Sequence, residues 1–272
     1  MPSWNIHIAQ TERLLERGGS VARTVCDRNA FLFGNVVPDI LVGYMVPAVD
    51  RPIPYRVTHC AKPEFIPKPR EREFWDTQVV PLLEHGAPGA SPVPMASLQA
   101  ERERVNQVHY AGRCGYGDTP DLPIVSPDGP VHGGDVARSV FDMVLGAWAH
   151  LLADRVWNTR VHGYLDEHGI KPSEEFRIKK QGDFDWFGRT LAIDAIPRAT
   201  ERLYAAAERF PPYAIERRFT LETVSVMHET VRTNGGAAEH LPYRLLDDAF
   251  FKSTFVEVLD TTDRLLEERL GR

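Results

Sequence analysis

The amino-acid sequence predicts an all-α protein, and three observations favour that class. Apolar residues recur at helical spacing in several long segments, glycine pairs follow two of these segments, and no run alternates in the strict manner of a strand. The chain has 272 residues, of which 43% are hydrophobic, so it can bury a sizeable core without disulfides. We therefore expect one multi-helix bundle over residues 1–272.

The N-terminal half contains helical segments separated by chain rich in proline and glycine. In order we expect a helix at 6–15, an apolar run at 30–37, proline-rich chain at 47–69, a helix at 70–84, a loop at 86–94 and a helix at 95–108. Pro81 should interrupt or bend the helix at 70–84. The glycine- and proline-rich stretch 110–134 is long for a connection, and we interpret it as an irregular insertion, a loop or a lid.

The segment Asp135–Val161 carries the strongest helical pattern. Asp135 is a suitable N-cap behind a glycine pair, and apolar residues lie on nearly all sides of the helix, which indicates a central position. Three more helices should follow, at 186–210 with a bend at Pro197, at 215–233 and at 241–270.

Charge and cysteine content exclude some classes of protein. The formal net charge of -6 argues against broad nucleic-acid binding, which needs a basic face, although a small phosphorylated substrate remains compatible with it. The three cysteines form no CxxC pair, so neither a disulfide framework nor a zinc ribbon is indicated. No apolar run resembles a signal peptide or the ~20 residues of a membrane helix. We expect a cytoplasmic protein without an integral membrane segment.

His150 and Asp154 are the first candidates for a functional site. They lie four residues apart in the central helix, so they project from one face about one turn apart. Gly146, one turn earlier, leaves room beside the imidazole. A buried carboxylate needs a partner, because an unpaired buried charge is costly. Two interpretations fit: a hydrogen-bonded His–Asp pair that joins helices, or a site for a divalent metal.

Three further residues are candidates, each with a simpler interpretation. Asp39 follows a buried apolar run and a proline, where it could serve a site or merely cap a turn. His59, in a loop, could be a metal ligand or have no role. His7, on an apolar helix start, could be a ligand or a satisfied core residue. Asp183 and Asp185, which follow two lysines, are typical of a solvated charge cluster.

Taken together, these elements resemble the zinc-dependent phospholipase C family. The resemblance covers roughly residues 1–160 and rests on four pieces of sequence: WNIH near the start, FLFGNVVPDI with Asp39, THC with His59, and LGAWAHLLADRVW with His150 and Asp154. It implies an all-helical fold, two or three bound zinc ions, and hydrolysis of a phosphodiester in a small-molecule or lipid substrate. It also implies that His7, His59, His150 and Asp154 are ligands, and that Asp39 is a ligand or the base for the attacking water.

The resemblance leaves a second metal without clear ligands, and this opens alternatives. The family has a histidine six residues after the aspartate, where this chain has Arg160, and no His-x3-Glu follows. Asp183 or Asp185 could supply one ligand. A non-catalytic helical binding or scaffold protein with a degenerate metal site is the main alternative. An HD-type phosphohydrolase is disfavoured, because no histidine is followed directly by aspartate.

Overall fold

The computed structural model describes residues 2–46, 49–84, 135–195, 197–232, 234–235 and 242–271. Helices, turns, irregular chain and isolated bridges such as that between Ala61 and Pro69 make up these residues, and no strand occurs among them. The all-α class is therefore confirmed for this part of the chain. The expected loop at 86–94, helix at 95–108 and insertion at 110–134 lie outside the described residues.

Twelve α-helices and one π-helical turn form the described part of the chain. In order they are α1 (Trp4–Glu16), α2 (Ser20–Thr24), α3 (Arg28–Gly34), α4 (Val37–Ile40), α5 (Tyr55–Thr58), α6 (Glu71–Phe74), the π-helical turn (Trp75–Val79), α7 (Val80–Glu84), α8 (Val136–His168), α9 (Glu174–Thr190), α10 (Glu201–Ala207), α11 (Arg217–Arg232) and α12 (Asp248–Leu270).

Helix α8 is the centre of the fold. It packs against α1, α3, α4, α6, α10 and α12, and nearly every side chain in its first six turns is buried. The Asp135 carboxylate caps its first turn by accepting from the Arg138 amide, as predicted. The helix continues seven residues beyond the expected end at Val161, because Leu165 still packs in the core, and it stops at Gly169 with φ of 61°.

By length and composition, α8 is also the one described helix that could cross a membrane. Within the protein, however, 89% of its most apolar window is buried against other helices. An apolar surface on all sides is equally the property of a helix enclosed by a protein core.

Helices α3 and α8 cross with their backbones in direct contact. A Cβ atom on Gly146 would overlap the carbonyl oxygen of Phe31, and a Cβ atom on Gly34 would overlap that of Met143. From the sequence we expected Gly146 to leave room beside the imidazole of His150. This expectation is wrong, because the backbone of α3 occupies the space next to Gly146.

A buried ion pair anchors the first turn of α8 to the chain between α2 and α3. Arg138 pairs with Asp142 one turn later, and the same carboxylate accepts hydrogen bonds from the backbone amides of Cys26 and Asp27. Burial raises the pKa of Asp142 to about 6, although Arg138 opposes this shift. These contacts fix the position of α3 along α8.

The prediction of one helix over residues 186–210 is wrong. The chain is helical in α9 up to Thr190, becomes extended at Leu191, and enters α10 only after the N-cap Thr200. Proline at 197 disfavours a continuous helix, since it lacks an amide donor. The apolar pattern of the sequence did not predict the first part of α9, because the buried face of this helix includes two charged residues, Lys180 and Asp183.

Two of the remaining expectations are confirmed, and one needs a new boundary. Helix α11 matches the expected 215–233 within two residues at its start and one at its end, and the segment 70–84 is helical with the π-helical turn just before Pro81. The helix expected at 241–270 begins only at Asp248, because the Asp247 side chain caps its first turn.

The contact between α3 and α8 predicts opposite effects for two glycine substitutions in α8. Gly146→Ala should lower the free energy of unfolding by about 2 kcal/mol, since overpacking against fixed backbone costs up to about 3 kcal/mol and the better helix propensity of alanine returns up to about 1 kcal/mol. Gly163→Ala, whose Cβ would meet no atom within 4 Å, should raise it by up to about 1 kcal/mol. Urea unfolding of both variants measures the difference, and equal effects would contradict the close contact.

Candidate metal centre

Five residues proposed from the sequence come together at one buried cluster. His7 lies on α1, Asp39 on α4, His59 directly after α5, and His150 and Asp154 on consecutive turns of α8. Their donor atoms form two groups, within each of which all atoms lie within 4.8 Å of one another: His7, His150 and Asp154 in one, and Asp39, His59 and His150 in the other. The cluster is the meeting point of four separate elements.

The hydrogen bonds of His150 define which of its ring nitrogens has a free lone pair. Its Nδ1 lies 2.7 Å from the carbonyl oxygen of Asn35, which can only accept, so Nδ1 carries the proton. Burial lowers the pKa of His150 to about 3, so the imidazole is neutral at neutral pH. Its Nε2 therefore presents a lone pair to the cluster.

The same reasoning applies to His59. The hydroxyl of Thr58 donates to the carbonyl oxygen of Tyr55, so its oxygen is left to accept from Nδ1 of His59 at 2.8 Å. With Nδ1 protonated, the Nε2 atom of a neutral His59 also has a free lone pair. The two Nε2 atoms of His59 and His150 face each other at 3.1 Å. Two lone pairs at this distance repel each other unless a proton or a metal ion lies between them.

The carboxylates of Asp39 and Asp154 complete a four-residue donor set around these nitrogens. Nε2 of His59 lies 3.4 Å from Asp39 Oδ1 and 3.7 Å from Asp154 Oδ2, and Nε2 of His150 lies 3.9 Å from Asp39 Oδ2 and 3.9 Å from Asp154 Oδ2. Ligand atoms around a tetrahedral zinc ion are roughly 3.3 Å apart, given metal–ligand bonds of about 2.0–2.1 Å. The spacings are near those of a metal site.

Two carboxylates, those of Asp39 and Asp154, lie in the cluster. Burial raises the pKa of Asp39, whereas protonated imidazoles at His150 and His59 would outweigh burial and lower it to about 2. Burial likewise raises the pKa of Asp154, whereas protonated imidazoles at His7 and His150 would lower it. Among the described lysines and arginines, none lies within 4 Å of either carboxylate. A divalent cation would neutralise both charges.

Each of these four donors is held from behind by a second contact. The Trp4 indole donates to Asp39 Oδ2 at 3.0 Å, and the Tyr55 hydroxyl donates to Asp154 Oδ2 at 2.9 Å. The imidazoles are held by the Asn35 carbonyl and the Thr58 hydroxyl, as described above. Outer contacts of this kind orient the ligands of metal sites and hold histidines in one tautomer.

His7 differs from the other donors because neither of its ring nitrogens has a hydrogen-bond partner. The side chain is 1% exposed, its ring stacks on that of His150 at 4.0 Å, and its Nε2 lies 3.4 Å from Asp154 Oδ1, which also lacks a hydrogen-bond partner. A buried imidazole and a buried carboxylate oxygen without partners are a costly pair. They suit a second cation that shares Asp154 with the first.

The donor set therefore fits zinc or a similar divalent cation. Imidazole nitrogen and carboxylate oxygen are ligand types that zinc accepts, and three imidazoles and two carboxylates supply enough of them for one complete site and part of another. Asp39 has the most exposed side chain of the five, at 12%, so the cluster meets solvent on the side of Asp39 and the half-buried Tyr55.

The structure does not bring Asp183 and Asp185 into this cluster. The carboxylate of Asp183 accepts three backbone amides, those of residues 244, 245 and 246, and Asp185 accepts from Gln181. The interpretation of this region as a solvated charge cluster is wrong for Lys180 and Asp183, which are 6% and 0% exposed. Three amide donors stabilise a buried carboxylate without a metal.

Neither residue near the family's further histidine position faces the cluster. Arg160 pairs with Glu257 on α12, and His162 lies with Nε2 3.0 Å from the carbonyl oxygen of Ile66. In the part of the chain that the structure describes, the second cation would have only His7 and one oxygen of Asp154 as donors.

Comparisons with protein-family models, with curated proteins and with solved structures find no match for this chain. The resemblance to the zinc-dependent phospholipase C family therefore stays a prediction. What supports a metal centre is the geometry of the donors themselves.

The outer contacts were not predicted from the sequence, and only one of them could have been recognised from a local pattern of residues. Trp4 precedes His7 by three residues, so both side chains lie on one face of α1, and this spacing could have indicated a shared role. Tyr55 and Asn35 lie far along the chain from their partners on α8, 99 and 115 residues away, so no local pattern marks them.

Two matched substitutions separate the cluster from the Asp183 contacts. Asp154→Asn should abolish tight zinc binding, because it removes the one carboxylate that lies beside all three imidazoles. Asp183→Asn should leave zinc binding intact and lower the free energy of unfolding by roughly 1–3 kcal/mol, since three backbone amides lose a charged acceptor. Isothermal titration with zinc and urea unfolding measure the two properties. Loss of zinc in the Asp183 variant alone would place the metal elsewhere.

Proposed function

We propose that this protein is a metal-dependent hydrolase of phosphoesters, of the zinc-dependent phospholipase C type. The single observation that carries the proposal is the close approach of the Nε2 atoms of His59 and His150, which lie 3.1 Å apart beside the carboxylates of Asp39 and Asp154. A core that is all helical in its described part is compatible with this type of enzyme. The five clustered residues are also those on which the sequence resemblance depends.

The chemistry of the proposed reaction depends on what a divalent cation supplies when it is bound. It lowers the pKa of a water molecule and stabilises the charge that develops on the oxygens of a phosphoryl group. The protein's own residues hold the donors in place, keep lysine and arginine side chains away from the carboxylates, and leave one side of the cluster open beside Asp39. A phosphoester is favoured over neutral substrates because its anionic oxygens match a cationic centre.

Asp39 is better suited to binding the cation than to taking a proton from water. Its Oδ1 lies 3.4 Å from Nε2 of His59, which is about the distance between two ligands of one zinc ion. Its Oδ2 also accepts the Trp4 indole, which leaves Oδ1 directed toward His59. We therefore propose Asp39 as a ligand, and this narrows the two roles that the sequence left open.

A non-catalytic metal-binding or scaffold protein is the second candidate, and a specific observation favours it. The partners of Arg160 and His162 lie on α12 and in the chain before α6, so these residues add no ligand to the cluster. Such a protein would bind one cation at the His59 and His150 donors for stability alone.

Elemental analysis and a hydrolysis assay distinguish the two candidates. The purified protein without a histidine tag should hold about one or two equivalents of zinc or a similar ion and hydrolyse bis(4-nitrophenyl) phosphate. A chelator should remove the activity and added zinc should restore it.

His59→Ala should bring both metal content and hydrolysis to background, whereas His162→Ala, a matched change outside the cluster, should leave both intact. Bound metal without hydrolysis of this or other phosphoesters would favour the scaffold protein, and no metal after zinc is offered would overturn the hydrolase and the metal centre together.

The role of Asp39 has its own test. Asp39→Asn should reduce zinc affinity and hydrolysis together, because the substitution removes a charged donor while the amide oxygen can still accept from Trp4. If Asp39 were only the base, the variant would keep full zinc affinity and lose kcat. Zinc titration followed by assay at saturating zinc separates these outcomes.

A further inference from the structure

Tyr55 contacts one donor in each of the two groups of the cluster. It is the first residue of α5, its ring stacks on the imidazole of His59 at 3.7 Å and 22°, and its hydroxyl donates to Asp154 on α8. Since a carboxylate oxygen accepts, the phenol is the donor in the contact with Asp154.

The Tyr55 hydroxyl is also the only hydrogen-bond donor to Asp154 within the described parts of the chain. It binds Oδ2, the oxygen that lies 3.7 Å from His59 and 3.9 Å from His150. Oδ1 has no hydrogen bond and lies beside His7. Without the phenol, no hydrogen bond from the described residues would fix the rotation of this carboxylate about its bond to the β-carbon.

We infer that Tyr55 is a positioning residue of the metal centre, whose hydroxyl sets the rotation of Asp154 and whose ring holds His59 in the plane that points Nε2 toward His150. This inference rests on the proposed function, because it assigns Tyr55 a role toward the cation of that site. The carboxylate is then oriented before the cation arrives, with one oxygen directed to each group of donors. Binding costs less when ligands are already ordered.

Removal of the Tyr55 hydroxyl should lower the affinity for the cation by a measurable factor. Loss of an outer contact to a metal ligand weakens metal binding by about 10–100-fold. Tyr55→Phe keeps the ring that stacks on His59 and removes only the hydroxyl, so the change isolates the contact with Asp154. Tyr55→Leu removes both contacts and should weaken zinc binding further.

Tyr164→Phe is a matched control. This tyrosine lies near the C-terminal end of α8, and its hydroxyl donates to the backbone carbonyl of Leu245 at 2.7 Å. The two phenylalanine variants therefore lose one buried hydrogen bond each, but only Tyr55→Phe loses a bond to a donor of the cluster. An effect common to both variants reports ordinary loss of a hydrogen bond.

The experiment compares zinc affinity and thermal unfolding in the full-length wild type and the three variants. Competition with a chromophoric chelator should give a dissociation constant about 10–100-fold higher for Tyr55→Phe than for the wild type, and unchanged for Tyr164→Phe. The rise in Tm on adding zinc should shrink only in the Tyr55 variants, while the metal-free Tm of the two phenylalanine variants should be similar. Absorption of the cobalt-loaded protein should change in Tyr55→Phe, since the ligand field depends on the orientation of Asp154.

The outcomes separate this inference from the function on which it rests. A wild type that binds no zinc would overturn the proposed function and the role of Tyr55 with it. A wild type that binds zinc beside a Tyr55→Phe variant of equal affinity would overturn the role of Tyr55 alone. A lower metal-free Tm with unchanged zinc affinity would show that Tyr55 is a structural residue, which also contradicts the inference.

Discussion

The contact between the backbones of α3 and α8 is the constraint on which the rest of the described structure depends. Glycine at 34 and 146 lets the two helices approach until no side chain lies between them. That distance brings the carbonyl of Asn35, the residue that ends α3, onto Nδ1 of His150. The proton on Nδ1 in turn leaves the lone pair of Nε2 available to the cluster. A packing constraint between two helices thus determines the chemical state of a donor atom in the cluster.

The sequence was most informative where the relevant residues are close in the chain. The spacing of His150 and Asp154, the cap at Asp135 and the burial of α8 all follow from local pattern. Gly146 was misinterpreted because a glycine in a helix indicates a close approach without saying what approaches. The start of α9 was missed because charged residues on its buried face are satisfied by distant partners that periodicity does not reveal. Much of the cluster's membership came from resemblance, and its outer contacts came from the structure alone.

Two buried aspartates show how the same residue type can have different roles. Asp183 and Asp154 are both 0% exposed, yet three backbone amides surround the first, and one phenol and three imidazoles surround the second. Amides are fixed dipoles that can satisfy a carboxylate permanently. Imidazoles are instead ligands that a metal ion accepts, and those beside Asp154 lie 3.4–3.9 Å from its oxygens. The partners of a buried charge, more than its burial, indicate whether it is structural or functional.

The origin of the donors in four separate elements has a consequence for how the chain acquires this centre. The contacts that join α8 to the N-terminal part of the protein connect residues 91, 99 and 115 positions apart. Contacts between such distant residues form slowly, since long loops must close before they can be made. Each half of the donor set is incomplete until α1, α4 and α5 have docked on α8. A cation that binds here would therefore be captured late in folding, and its binding would report that the native topology has been reached.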